Sequence, residues 1–137
     1  MTAKEYLKQV RTLDMEIDEK AEELYRLKQK ALCVSSVVIS ERVLSSNENS
    51  SNAIIDKIVD MQNEINDEID KLVDLKSEIR SKINQIAIAK YRILLTKYFI
   101  NCKTLEKSAE EMNYSRANTF KIYSKAIRHF AKKFNFD

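Results

Sequence analysis

Apolar side chains recur at alternating steps of four and three residues from the start of the chain: Tyr6, Val10, Leu13, Ile17, Leu24, Leu27 and Ala31, with Lys20 as the charged break. This spacing lays a narrow stripe along one side of an α-helix, the width that suits one partner helix. Thr2 and Glu5 open the helix as a capping box, each satisfying a backbone donor of the other. The same rhythm returns at Ile54, Ile58, Met61, Ile65, Leu72, Leu75, Ile79 and Ile86, broken at Glu68 and Lys82. Between the two stretches, residues 34–52 lose the period. SSNENSSN (45–52) is a run of small polar side chains that reads as a loop, with Asn52 as a helix N-cap. Two heptad helices around a loop predict an antiparallel coiled-coil hairpin over residues 1–86. Folding about residues 43–44 brings Lys20 to Glu68, so the charged breaks of the two seams face each other.

From Ile86 the pattern widens. Tyr91, Leu94, Leu95, Tyr98 and Phe99 make a broad stripe with aromatic bulk, suited to a small globular core and predicting a helix over 88–100. Two further helices follow, near 104–112 and 115–134, with Thr104 and Ser115 as their N-caps. Asn113 stands where the chain must turn, as the best non-glycine residue for a left-handed backbone conformation. Leu105, Ala109, Met112, Tyr114, Ile122, Ala126, Ile127 and Phe130 are the apolar positions that would pack these helices over the third. Two helices joined by a tight turn form a helix-turn-helix, the arrangement that binds duplex DNA. The expected fold is all-α: the hairpin over 1–86, then a helix-turn-helix domain over 87–137.

Composition sharpens this picture. The chain of 137 residues contains neither glycine nor proline, which removes the usual helix breakers. Its net charge of +3 is unevenly placed: residues 1–33 balance, residues 34–86 carry −4 and residues 87–137 carry +7. A basic tail behind an acidic middle points to a polyanionic partner for the tail. Arg116, Asn118 and Lys121, at the start of the last helix, are the candidates for base or nearby phosphate contact, since arginine pairs with guanine and asparagine with adenine. Lys125, Arg128, Lys132 and Lys133 lie further along and suit phosphates, as do Lys103 and Lys107.

Other chemistries find little support. Cys33 and Cys102 match no metal spacing and read as two buried thiols in a reducing compartment. The acids Asp56, Asp60, Glu64, Asp67, Asp70 and Asp74 read as a solvated helix face, without the histidine or glycine-bounded loop of a metal site. His129 has no partners for catalysis and reads as a surface residue. A phosphate-binding glycine loop is ruled out by the absence of glycine. We therefore expect no enzymatic activity, no cofactor and no metal. The early charges argue against a secretory signal and no apolar run reaches membrane-span length, so the expected location is the cytoplasm, with no membrane partner.

TLEKSAEEMNYSRANTFKIYSKAIRHF resembles region four of bacterial sigma factors. Thr104, Leu105, Glu106, Ala109, Glu110, Glu111, Met112, Ser115, Arg116, Ile122 and Ala126 fall on that pattern, and Ile127 is a conservative match; the resemblance covers residues 88–134. It departs at Asn113, which replaces the turn glycine, and at Ser108 and Thr119, which replace apolar residues. Ala117 and Phe120 stand where sigma factors carry polar or basic base-contacting residues. The whole chain, including AKEYLKQVRTLDMEID and DEIDKLVDLKSEI, also resembles a family of small phage and prophage proteins near the ArpU and RinA groups of late-gene regulators. That resemblance implies a phage-encoded transcription regulator in a bacterial host. Its tail would bind double-stranded DNA, and its coiled coil would form a homodimer or contact RNA polymerase. Two alternatives stay open: a mimic of sigma region four that binds polymerase or a sigma factor without DNA, and a small-terminase-like packaging subunit.

Overall fold

In the computed structural model the backbone of residues 1–41 and 45–137 and the side chains of residues 1–33 and 52–137 are described. Among the described residues the protein is all-helical: α1 (Ala3–Glu41), α2 (Ser45–Ile83), α3 (Ala89–Leu95) running into a π-helical turn (Thr96–Ile100), α4 (Leu105–Met112) and α5 (Arg116–Lys133). None of these helices is long and apolar enough to cross a membrane. The capping box at the start of α1 is in place: Thr2 N donates to Glu5 Oε2 at 2.9 Å and Glu5 N to Thr2 Oγ1 at 3.2 Å.

The loop expected over 34–52 is mostly helix. α1 continues to Glu41 and α2 begins at Ser45, which puts Asn52 inside α2. Serine and asparagine cost a helix only about 0.5 kcal/mol each relative to alanine, and without glycine or proline nothing in this stretch forces an early stop. The turn itself lies outside the described residues.

The chain divides into two compact units, residues 15–71 and residues 1–14 with 72–137. The boundary expected between 86 and 87 therefore falls inside a unit, because the first turns of α1 and the last turns of α2 belong with the C-terminal helices.

In the unit of residues 15–71, α1 and α2 run antiparallel. Ile17, Leu24 and Ile65 are buried on the seam, and Leu27, Ile58 and Met61 are half-buried. Lys20 donates to Glu64 Oε1 at 2.8 Å and to Glu68 Oε1, so the charged breaks of the two seams meet. These two carboxylates, Glu64 first, raise the ammonium's pKa above its ordinary value. Glu68 Oε2 is buried and makes no hydrogen bond among the described residues. Cys33, expected buried, is exposed on α1. Its position is off the seam, and no side chain among the described residues buries it.

In the other unit, Ala3, Leu7 and Val10 of α1 are buried along with Ile79, Ile83 and Ile86. The Tyr6 ring stacks on Phe130 at 6.1 Å between centroids and packs tilted against Phe136 at 5.0 Å, and its hydroxyl donates to Glu78 at 2.9 Å. Lys82, the second break in the α2 seam, lies 4.5 Å from the Tyr6 ring centre, so its charge meets an aromatic face. After α5 the chain passes through Asn135, whose φ is 57°, and Phe136 N donates back to Ala131 O at 2.8 Å. That reversal brings Phe136 onto Tyr6 and Phe130.

Arg11 ties α1 to the end of the third helix. Its guanidinium donates to Tyr98 O at 2.6 Å and Lys103 O at 3.1 Å, and lies 4.2 Å from the Tyr98 ring centre. The π-helical turn has a five-residue bond from Asn101 N to Thr96 O at 2.9 Å, and just beyond it Cys102 takes a left-handed φ of 55°. Cys102 is half-buried, and burial pushes its thiol pKa up.

Candidate nucleic-acid interface

α4, its turn and α5 are set by local chemistry. Thr104 caps α4, accepting from Lys107 N at 3.0 Å, and Ser115 caps α5, accepting from Asn118 N at 3.1 Å. Asn113 takes up the left-handed conformation, φ 58° and ψ 39°, and Tyr114 N donates to Ala109 O at 3.0 Å across the turn. Asparagine tolerates this conformation because its short amide can bond locally. Ala109 and Ala126 are both buried, and their small side chains let the helices approach closely. Tyr114, expected in this core, is 38% exposed. The left-handed step at Asn113 turns the chain, and Tyr114 falls in the linker between the two helices.

α5 buries Thr119, Ile122, Tyr123, Ala126 and Phe130, a single stripe at helical spacing. Helix geometry then places Lys121, Lys125, Arg128 and Lys132, at steps of four, three and four, on the opposite face. All four are exposed, as are Asn118 and Lys133, and none of these six has an ion-pair partner among the described residues. α5 contains no acidic residue. At its leading end Ala117 and Phe120 are exposed, Phe120 at 60%.

The remaining candidates are engaged. Arg116 is ion-paired with Glu106 in the first turn of α4, both side chains being exposed. Lys107 lies 3.8 Å from Glu110, also at the surface. Lys103 donates to both oxygens of Glu111, at 2.6 and 3.0 Å, and Lys97 donates to the same carboxylate at 2.6 Å. Lys103 and Lys97 hold the Glu111 carboxyl down at about 2. Lys103, expected to contact phosphate, is thus half-buried and paired with the Glu111 carboxylate at the surface. His129 is half-buried with its ring 5.6 Å from that of Tyr91.

Two buried hydroxyls sit behind this surface. Ser108 Oγ donates to Thr104 O at 2.9 Å, whereas Thr119 Oγ1 makes no hydrogen bond among the described residues. Burial pushes Tyr123, on the same stripe, up to about 12, with Tyr98 adding to the shift.

Sequence reasoning missed the Arg11 clamp and the Glu111 bridge. Arg11 falls one position off the heptad seam and has no local partner in sequence that marks it. Glu111 falls within the sigma-like pattern, which does not mark Lys97 and Lys103 as its partners.

Comparison with curated proteins and with solved structures finds no match. The family described as "Protein of unknown function (DUF1492)" matches residues 32–131, which include all of α2, α3 and α4 and most of α5. Because that match covers well over half of the 137 residues, the chain belongs to the DUF1492 family.

Proposed function

We propose that the protein is a DNA-binding transcription regulator whose α5 enters the major groove of duplex DNA. The observation that carries this reading is the free face of α5. Lys121, Lys125, Arg128 and Lys132 stand in one exposed row, opposite the buried stripe and without acidic neighbours on their own helix. A helix held by a preceding short helix and a tight turn, with cations along its outer face, has the build for groove entry. Asn118 and Lys121 suit base edges or nearby phosphates; Lys125, Arg128, Lys132 and Lys133 suit phosphates. Arg116 can join them on leaving Glu106, since an exposed ion pair is weak. The resemblance to phage regulators supports a role at promoters, with RNA polymerase as a second partner and a bacterial cytoplasm as the setting.

The reading extends to a homodimer through α2. Ile55, Val59 and Ile69 are exposed on it at heptad spacing, and Gln62 and Asn66 occupy the layers between, joined by a 3.3 Å hydrogen bond. Polar residues in such layers fix the register and number of partner helices. A dimer reads two half-sites a helical turn or its multiples apart.

Binding of random-sequence duplexes, followed by selection of the tightest and measurement of mass by light scattering, tests both parts. Enrichment of a two-part site with a dimer mass is the expected result. Capture of polymerase with no duplex bound at low salt would replace this reading by the sigma-mimic one, and a ring-sized oligomer would favour a packaging subunit.

A further inference from the structure

The leading end of α5 carries a feature that phosphate binding does not use. Phe120 is 60% exposed, and its ring lies 6.3 Å from that of Tyr123 at an interplanar angle of 29°. One face of the ring is therefore supported from within the protein while the rest is open. Ala117, one turn earlier, is also exposed, and its methyl side chain is small enough to let the backbone come close to a partner. Lys121 and Ser124 flank this pair on the outer side of the helix, and Asn118 adjoins it.

An apolar spot on a helix with no acidic residue calls for a partner that is anionic overall and apolar in places. The major groove of DNA has that character, because the 5-methyl group of thymine is its one apolar feature. We propose that Ala117 and Phe120 read thymine methyl groups, with Asn118 placed to pair with adenine, so that the preferred half-site is rich in A·T steps. This rests on the DNA-binding reading above and adds to it which base feature is recognised.

The test needs no altered protein. Duplexes selected from a random-sequence pool are resynthesised with deoxyuridine in place of thymidine, which removes the methyl groups and keeps every hydrogen-bonding edge. Wild-type protein is expected to lose about fourfold in affinity for each contacted methyl. Phe120→Ala should bind the thymidine duplex more weakly and lose much of the discrimination, whereas Phe120→Leu should retain it. Equal wild-type affinity for the two duplexes overturns the proposal while leaving DNA binding intact. A change in the mass of the free protein on Phe120→Ala also overturns it, because Phe120 would then belong to a protein contact. No duplex bound at all overturns the DNA-binding reading itself, and this inference with it.

Discussion

Thr119→Val removes a buried hydroxyl that has no hydrogen-bond partner among the described residues. Thr119 is 1% exposed on the buried stripe of α5, and its Oγ1 makes no hydrogen bond among the described residues. Its backbone is satisfied, with Thr119 N donating to Ser115 O at 2.9 Å. A buried polar group without a partner costs about 1–3 kcal/mol. The replacement methyl adds about 0.8 kcal/mol of apolar burial. Both side chains are β-branched, so the helix propensity is little changed. Against these gains stands the slightly larger volume of a methyl in a packed core, which offsets part of them. The net expectation is a stabilisation of about 1–2 kcal/mol, or roughly 3–8 °C in melting temperature for a chain of this size. Ser108→Ala is the control. That hydroxyl is buried but already donates to Thr104 O, and its loss against alanine's better helix propensity should leave stability within about 0.5 kcal/mol. Urea unfolding should show a higher midpoint for Thr119→Val with an unchanged slope. A Thr119→Val protein that melts at or below wild type would refute the reasoning, since it would mean that the hydroxyl is satisfied in solution.

Glu111 gives a pH prediction. Its pKa is lowered to about 2 from an ordinary 4.5, so its stabilising effect is full above 4.5 and lost as pH falls through about 2. Melting temperatures measured from pH 5 to pH 2 should fall more steeply for wild type than for Glu111→Gln, and parallel curves would contradict the bridge to Lys103 and Lys97. At the hairpin seam, Lys20→Leu alone should lower the melting temperature and Lys20→Leu with Glu68→Leu should restore or exceed it, because an uncompensated buried carboxylate is worse than an apolar pair. Exchanging the two charges should be tolerated better than reversing either; equal damage from all three variants would count against a register role. Glu106→Gln should release Arg116 and tighten duplex binding by roughly two- to threefold, measured by anisotropy; an unchanged affinity would place Arg116 away from the DNA.

The helix-turn-helix was largely legible in the sequence because its signals are local. Thr104, Asn113 and Ser115 each act within a few residues, and the structure places all three at the helix ends. The hairpin seam was legible for the same reason, since its period repeats along each helix, and Lys20 and Glu68 meet as that register requires. The turn region is less legible because serine and asparagine favour caps and loops without forbidding helix, and the absence of glycine and proline leaves the helices free to run on. The division into compact units is not legible, for a different reason. Ala3, Leu7 and Arg11 act on residues far along the chain, and no periodicity shows that the first turns of a long helix belong to a distant core. At the candidate site, composition identified the cations, but only the fold separates the free row on α5 from Lys103 and Arg116, whose charges are met by Glu111 and Glu106.

The proposed binding of duplex DNA by the exposed cationic row of α5 is tested most directly by the dependence of affinity on salt. Fluorescence anisotropy with a selected duplex should give a linear fall of log affinity with log salt, with a slope of about −4 or steeper for at least four phosphate contacts per chain. Lys132→Ala should make that slope shallower by about one and weaken all duplexes alike. Absence of binding at low salt, or a slope near zero that Lys132→Ala leaves unchanged, would contradict the account.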